Sequence, residues 1–71
     1  MQVGDLIDVK CWKTQSFRTR YGVGMIIETR RGNHPMVGSQ PANWHTVLFA
    51  KNGAEKEFCE DDLAPMGYWI R

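Results

Sequence analysis

The stretch from Trp44 to Cys59, WHTVLFAKNGAEKEFC, constrains this chain more than any other. An apolar run ends in Asn52-Gly53 and a charged run closing on Phe58 follows it, the pattern of a β-hairpin with a type I′ turn. Asn and Gly accept positive φ at low cost, so the two strands can fold straight back on one another. With a loop of only those two residues, Lys51 faces Ala54, Phe49 faces Lys56 and Val47 faces Phe58. Val47, Phe49 and Phe58 then share the buried face, and Leu48 and Ala50 lie opposite Glu57 and Glu55 on the other.

Size limits what such a hairpin can serve. A chain of 71 residues is expected to be one domain over residues 1–71, burying roughly 60% of the surface its unfolded form exposes. A core of that size supplies about 3 to 5 kcal/mol, so a deep catalytic cavity would remove much of the packing that holds the fold. Surface binding without catalysis is the expected kind of function. With 42% hydrophobic and 24% charged residues the composition is that of a globular chain. No apolar run approaches the roughly 20 residues of a membrane span, and Met1-Gln2-Val3-Gly4 opens no secretory signal. A cytoplasmic, non-membrane protein is expected.

The formal net charge of +1 conceals an asymmetry. Residues 1–35 hold Lys10, Lys13, Arg18, Arg20, Arg30 and Arg31 against Asp5, Asp8 and Glu28. Residues 36–71 hold Lys51, Lys56 and Arg71 against Glu55, Glu57, Glu60, Asp61 and Asp62. Folding either interleaves the two halves into mutual neutralisation or leaves a basic patch.

In chain order, Leu6 to Trp12 reads as a strand with Ile7 and Val9 inward and Leu6 and Trp12 on the other face. Lys13 to Tyr21 is polar and basic, a long exposed loop. Tyr21-Gly22-Val23-Gly24 leads into Met25-Ile26-Ile27-Glu28-Thr29, a strand in which Val23, Met25 and Ile27 share one face and the glycines permit a bend or bulge. No helix follows those glycines, which argues against a phosphate cradle. Arg30 to Asn43, dense in Gly, Pro, Asn and Ser, reads as a second long loop. After the hairpin, Glu60-Asp61-Asp62-Leu63 reads as a single 3-10 turn with Leu63 plugging the fold. Ala64-Pro65-Met66 follows as a short last strand, confined by Pro65 to an edge or first-residue position.

This succession resembles an SH3-like small barrel. Gly4-Asp5, Gly22-Val23-Gly24, Val47-Leu48-Phe49, Asn52-Gly53, Phe58 and Asp61-Asp62-Leu63 carry the resemblance over nearly the whole chain, which is also similar to short bacteriophage proteins built on that barrel. The resemblance implies an all-β fold: a five-stranded SH3-like barrel with two long loops and a 3-10 turn before the last strand. For a phage-encoded chain the location would be the host cytoplasm. It implies less about function, since such barrels read peptides in Tudor-type domains, bind nucleic acid in ribosomal and transcription-factor modules, or serve as accessory subunits of redox and photosynthetic complexes.

Little in the sequence calls for catalysis, a cofactor or a metal. Cys11 and Cys59 are expected to be reduced thiols. With His34 and His45 they could compose a Cys2His2 set, yet no CxxC or HxxxH pairing fixes two ligands at once, so no metal site and no Cys–His nucleophile are expected. Glu60, Asp61 and Asp62 read as a solvated turn with Asp61 or Asp62 as a cap.

A binding surface has more support. Trp12, Phe17, Arg18, Arg20 and Tyr21 around the first loop, with Arg30, Arg31 and Trp44 around the second, interleave cations with planar rings. His34 joins them at the second loop. A peptide could lie in such a groove, the rings burying area at low entropic cost. Nucleic acid is the alternative partner, with Arg on phosphate and rings stacked on bases, although a pI of 7.8 is low for a dedicated nucleic-acid module. A third reading is an accessory structural subunit or homodimer using Tyr68, Trp69 and Ile70. A protein partner is the leading expectation.

Overall fold

The computed structural model describes residues 1–10 and 20–68. Five strands, β1 (Leu6–Val9), β2 (Gly24–Asn33), β3 (Pro41–Phe49), β4 (Glu55–Cys59) and β5 (Leu63–Pro65), form one antiparallel sheet in the order β4-β3-β2-β1-β5. A 3-10 turn, Glu60–Asp62, carries the chain from one edge strand to the other. β4 and β5 remain the edges of this ladder, which does not close on itself.

The inner face is built by alternation. Ile7 and Val9 of β1, Ile26 of β2, Val47 and Phe49 of β3 and Leu63 of β5 form the core cluster, all at most 3% exposed. Tyr21, Ala54 and Phe58 pack against it. β1 therefore points inward as its sequence predicts, and Leu6 lies on the far side, 47% exposed. In β2 the buried face holds Gly24 and Ile26, whereas Met25 is exposed. Gly24 lies opposite Phe49, and a Cβ there would stand 2.2 Å from Val47 Cγ1. Glycine is required at position 24 by close packing of β2 on β3, and Gly22, two residues before, takes a positive φ of 67°. The bulge falls later, between Ile26 and Glu28.

Two sequence expectations are corrected. The hairpin register pairs Val47 with Lys56, Leu48 with Glu55, Thr46 with Glu57 and His45 with Phe58. Phe49 N–H donates to Ala54 O, and Gly53 N–H to Phe49 O, both at 2.8 Å, which makes Ala50 to Gly53 a four-residue loop. Gly53 has φ +71° while Asn52 does not have positive φ, so the turn is not type I′, which needs positive φ at both central residues. Asn52 instead turns its Oδ1 onto the Ala54 N–H at 3.0 Å. The pairing is displaced by two residues from the tight-turn register. Because side chains alternate with period 2, that displacement keeps every side chain on its expected face.

The second correction concerns Arg30 to Asn43, which is mostly strand. β2 runs on to Asn33 and β3 begins at Pro41, leaving only residues 34–40 as loop. Pro41 sits at the first position of its strand, where a missing donor is tolerated. The ten residues of β2 at about 3.3 Å each span about 33 Å, matching the longest molecular dimension of 34 Å. The β2–β3 ribbon thus projects beyond β1, whose pairing with β2 involves only Gly24 and Met25.

Candidate functional site

Of the residues expected to make one aromatic and basic groove, the described ones do not share one face of the sheet. Trp12, Phe17 and Arg18 lie outside the described residues. Arg30 faces Trp44 across the β2–β3 ribbon, its guanidinium 5.4 Å from the ring centroid. The same guanidinium is held by Glu57 of β4, Nε donating at 2.7 Å and Nη2 at 2.8 Å. The hydrogen bond from Arg30 is the main reason that the Glu57 carboxyl is held below the usual glutamate range. A guanidinium already committed to a carboxylate fork is poorly placed to receive phosphate. Trp44 is half-buried, and its Nε1 donates to the Asn33 carbonyl at 3.0 Å. A side chain at Gly32 would collide with Arg30 and Trp44, so the glycine lets the ring lie across the ribbon.

Arg31, one residue on, projects to the opposite face and donates to Asn43 Oδ1 at 3.0 Å. Tyr21 packs on the core ring of Phe49, centroids 5.3 Å apart, with the Lys56 ammonium 5.5 Å from its own ring. Arg20 is exposed. The described cations therefore do not converge on one aromatic patch.

Two other features stand out. The first is an apolar row on the outer face of the sheet. Leu6 pairs with Met25, Met25 with Leu48, and the Met66 N–H donates to the Leu6 carbonyl at 3.2 Å. Met66 is 56% exposed, Leu6 47% and Met25 38%, and Leu48 is half-buried. Strands lie about 4.8 Å apart, so the row extends for about 15 Å. Glu55 continues it across β4, and Glu28 flanks it one register away, opposite Thr46. The sequence showed each of these residues but not their adjacency, which depends on the order β3-β2-β1-β5.

The second is a polar cleft of about 280 Å³ where the far end of the ribbon meets the 3-10 turn, lined by Arg31, His34, Gln40, Asn43, Cys59 and Asp61 among others. His34 organises its rim. Its Nδ1 accepts from the N–H groups of Met36 and Val37 at 3.1 and 3.2 Å, so the ring proton sits on Nε2 and is donated to Asp61 Oδ2 at 2.8 Å. Both ring nitrogens are committed, which leaves no lone pair to activate the Cys59 thiol. Asp61 is thereby a partner for His34, and the expected capping by Asp61 or Asp62 is not seen: Cys59 holds the N-cap position of the 3-10 turn and makes no side-chain cap hydrogen bond.

His45 lies apart from that cluster. It is fully buried, with Nδ1 2.9 Å from the Thr29 hydroxyl and Nε2 2.9 Å from Glu60 Oε1. The hydrogen bond from His45 lowers the Glu60 carboxyl below its usual range, against the opposing effect of burial. His34 and His45 thus have separate partners, Asp61 and Glu60, and Cys11 is outside the described residues. No helix among the described residues is long and apolar enough to cross a membrane. Comparison with known proteins finds no matching family model, no matching curated sequence and no matching solved structure.

Proposed function

We propose that this chain is a small non-catalytic interaction module that binds a protein segment on the outer face of its sheet. The apolar row Met66, Leu6, Met25 and Leu48 carries the reading, because adjacent exposed apolar side chains on one sheet face mark interaction surfaces more than scattered ones do. Two of the four are methionines, whose flexible thioethers repack around different partners. Glu28 and Glu55 border the row, so the segment that fits is apolar with Lys or Arg beside it. The antiparallel meander with a 3-10 turn before a short last strand supports an SH3-like small barrel as the scaffold, and similarity to phage-encoded barrels belongs to the same reading.

Nucleic acid is the weaker alternative, since Arg30 is neutralised by Glu57 and Trp44 is half-buried. Selection from a random-peptide library tests the proposal. Recovered peptides should share apolar and basic positions and should perturb the amide resonances of Leu6, Met25, Leu48 and Met66. Met25→Glu should abolish binding while the protein stays folded. Peptides that perturb other residues, an empty selection, or salt-sensitive retention on single-stranded DNA or RNA would overturn it.

A further inference from the structure

We propose that His34, Cys59 and Asp61 form a site for a transition-metal ion of the zinc(II) class at the rim of the polar cleft. This replaces the sequence-based expectation that no metal is bound. The three residues come from the ribbon end after β2, the last position of β4 and the 3-10 turn, and their donor atoms lie within 4.8 Å of one another. Zinc bonds of about 2.0 to 2.3 Å place neighbouring ligands about 3.5 Å apart, so closure by about 1 Å completes the set. Thiolate, imidazole and carboxylate are all zinc ligands, and the cleft leaves room for a water in the fourth position.

One observation besides the clustering points to a ligand. Cys59 is 2% exposed and lines the cleft, yet its thiol has no hydrogen-bond partner among the described residues. The hydrogen bond of 2.8 Å between His34 Nε2 and Asp61 Oδ2 gives way on binding, since the two atoms move apart to about 3.5 Å around the ion.

Binding at Nε2 has a definite structural consequence. The imidazole keeps one proton, which must move to Nδ1, where the Met36 and Val37 N–H groups now point. Two donors cannot stay aimed at a third, so those hydrogen bonds break and the 34–40 turn loosens. Two neutral hydrogen bonds are weak beside a thiolate-containing zinc site. The Cys59 thiol gives its proton to solvent, Asp61 binds as the carboxylate, and the balance is one proton released per metal ion.

Titration of the full chain with Co²⁺ under reducing conditions is the test. The expected result is a one-to-one complex with a thiolate-to-cobalt charge-transfer band, bleached by Zn²⁺. Cys59→Ser should remove the band and Cys11→Ser should retain it. Asp61 is exposed, so Asp61→Asn should fold normally and weaken cobalt binding at least about tenfold, the least that loss of even an outer-shell partner costs. Zn²⁺ should shift the Met36 and Val37 amide resonances. A chain without the band at excess cobalt, a band that depends on Cys11, unchanged affinity in Asp61→Asn, or unmoved Met36 and Val37 amides would overturn the site.

Discussion

The two histidines show how much a single side chain's partners decide. His45 faces a carboxylate on Nε2 and a hydroxyl on Nδ1. A hydroxyl donates or accepts as required, so the buried ring keeps both hydrogen bonds whichever form Nδ1 takes. His34 has two backbone donors on Nδ1, so its present arrangement admits only the Nε2-protonated form. Neither role was legible in the sequence, where each histidine is an isolated residue outside any local motif. Arg30 and Glu57 are 27 residues apart, and only the β2-β3-β4 order makes them neighbours. Their fork gives a pH-dependent signature. Glu57 has a lowered pKa in the folded state, so its contribution to stability is present above the ordinary glutamate pKa and is lost as pH falls through the lowered value. Arg30→Gln should raise the Glu57 titration midpoint toward the ordinary value in an NMR titration of the side-chain carboxyl. Added salt should narrow the difference, because the pair is exposed to solvent.

At the scale of elements, the hairpin shows which part of a turn is set locally. Gly53 holds φ +71° with no heavy atom near a would-be Cβ, whereas Gly38 lacks a positive φ in similarly open space. Gly53→Ala should therefore cost about 1 to 2 kcal/mol through backbone strain alone. Gly38→Ala should stay within about 0.5 kcal/mol of the parent. Urea unfolding of the two variants measures the contrast. The Asn52-Gly53 pair did locate the reversal, and alternation assigned Val47 and Phe49 to the core, but the number of loop residues escaped because Asn52 acts through its side chain. The 3-10 turn and the edge strand at Pro65 were legible because proline and a short acidic run carry local conformational rules. The distal half of β2 was not. Its residues Glu28 to Arg31 are all exposed, so the ribbon there is held by pairing with β3, and a hydrophobic pattern records burial, not pairing. The candidate site suffered likewise, since the Met66-Leu6-Met25-Leu48 row is assembled from four separate strands and turns.

At the scale of the whole molecule, the described residues form an open five-stranded sheet with a long ribbon, and an open sheet must protect its edges from pairing with other chains. β5 is only three residues long and ends in Pro65, which lacks an N–H. β4 is the longer edge, and Glu55, Lys56 and Glu57 along it are all exposed. Charges in that position oppose the approach of a second strand, while the apolar row stays available on the face for a partner. The two surfaces are thus separable by mutation. Glu55 and Lys56 do not belong to the Arg30 fork, so replacing both with threonine keeps that pair and raises the β propensity of the edge. The Glu55→Thr, Lys56→Thr variant should retain its fold yet associate with increasing concentration, as measured by sedimentation velocity, and the association should persist when Met25→Glu is added. Suppression by Met25→Glu would instead place the self-contact on the apolar face, and a double variant that stayed monomeric at high concentration would show that the charges on β4 are not what keeps the edge unpaired.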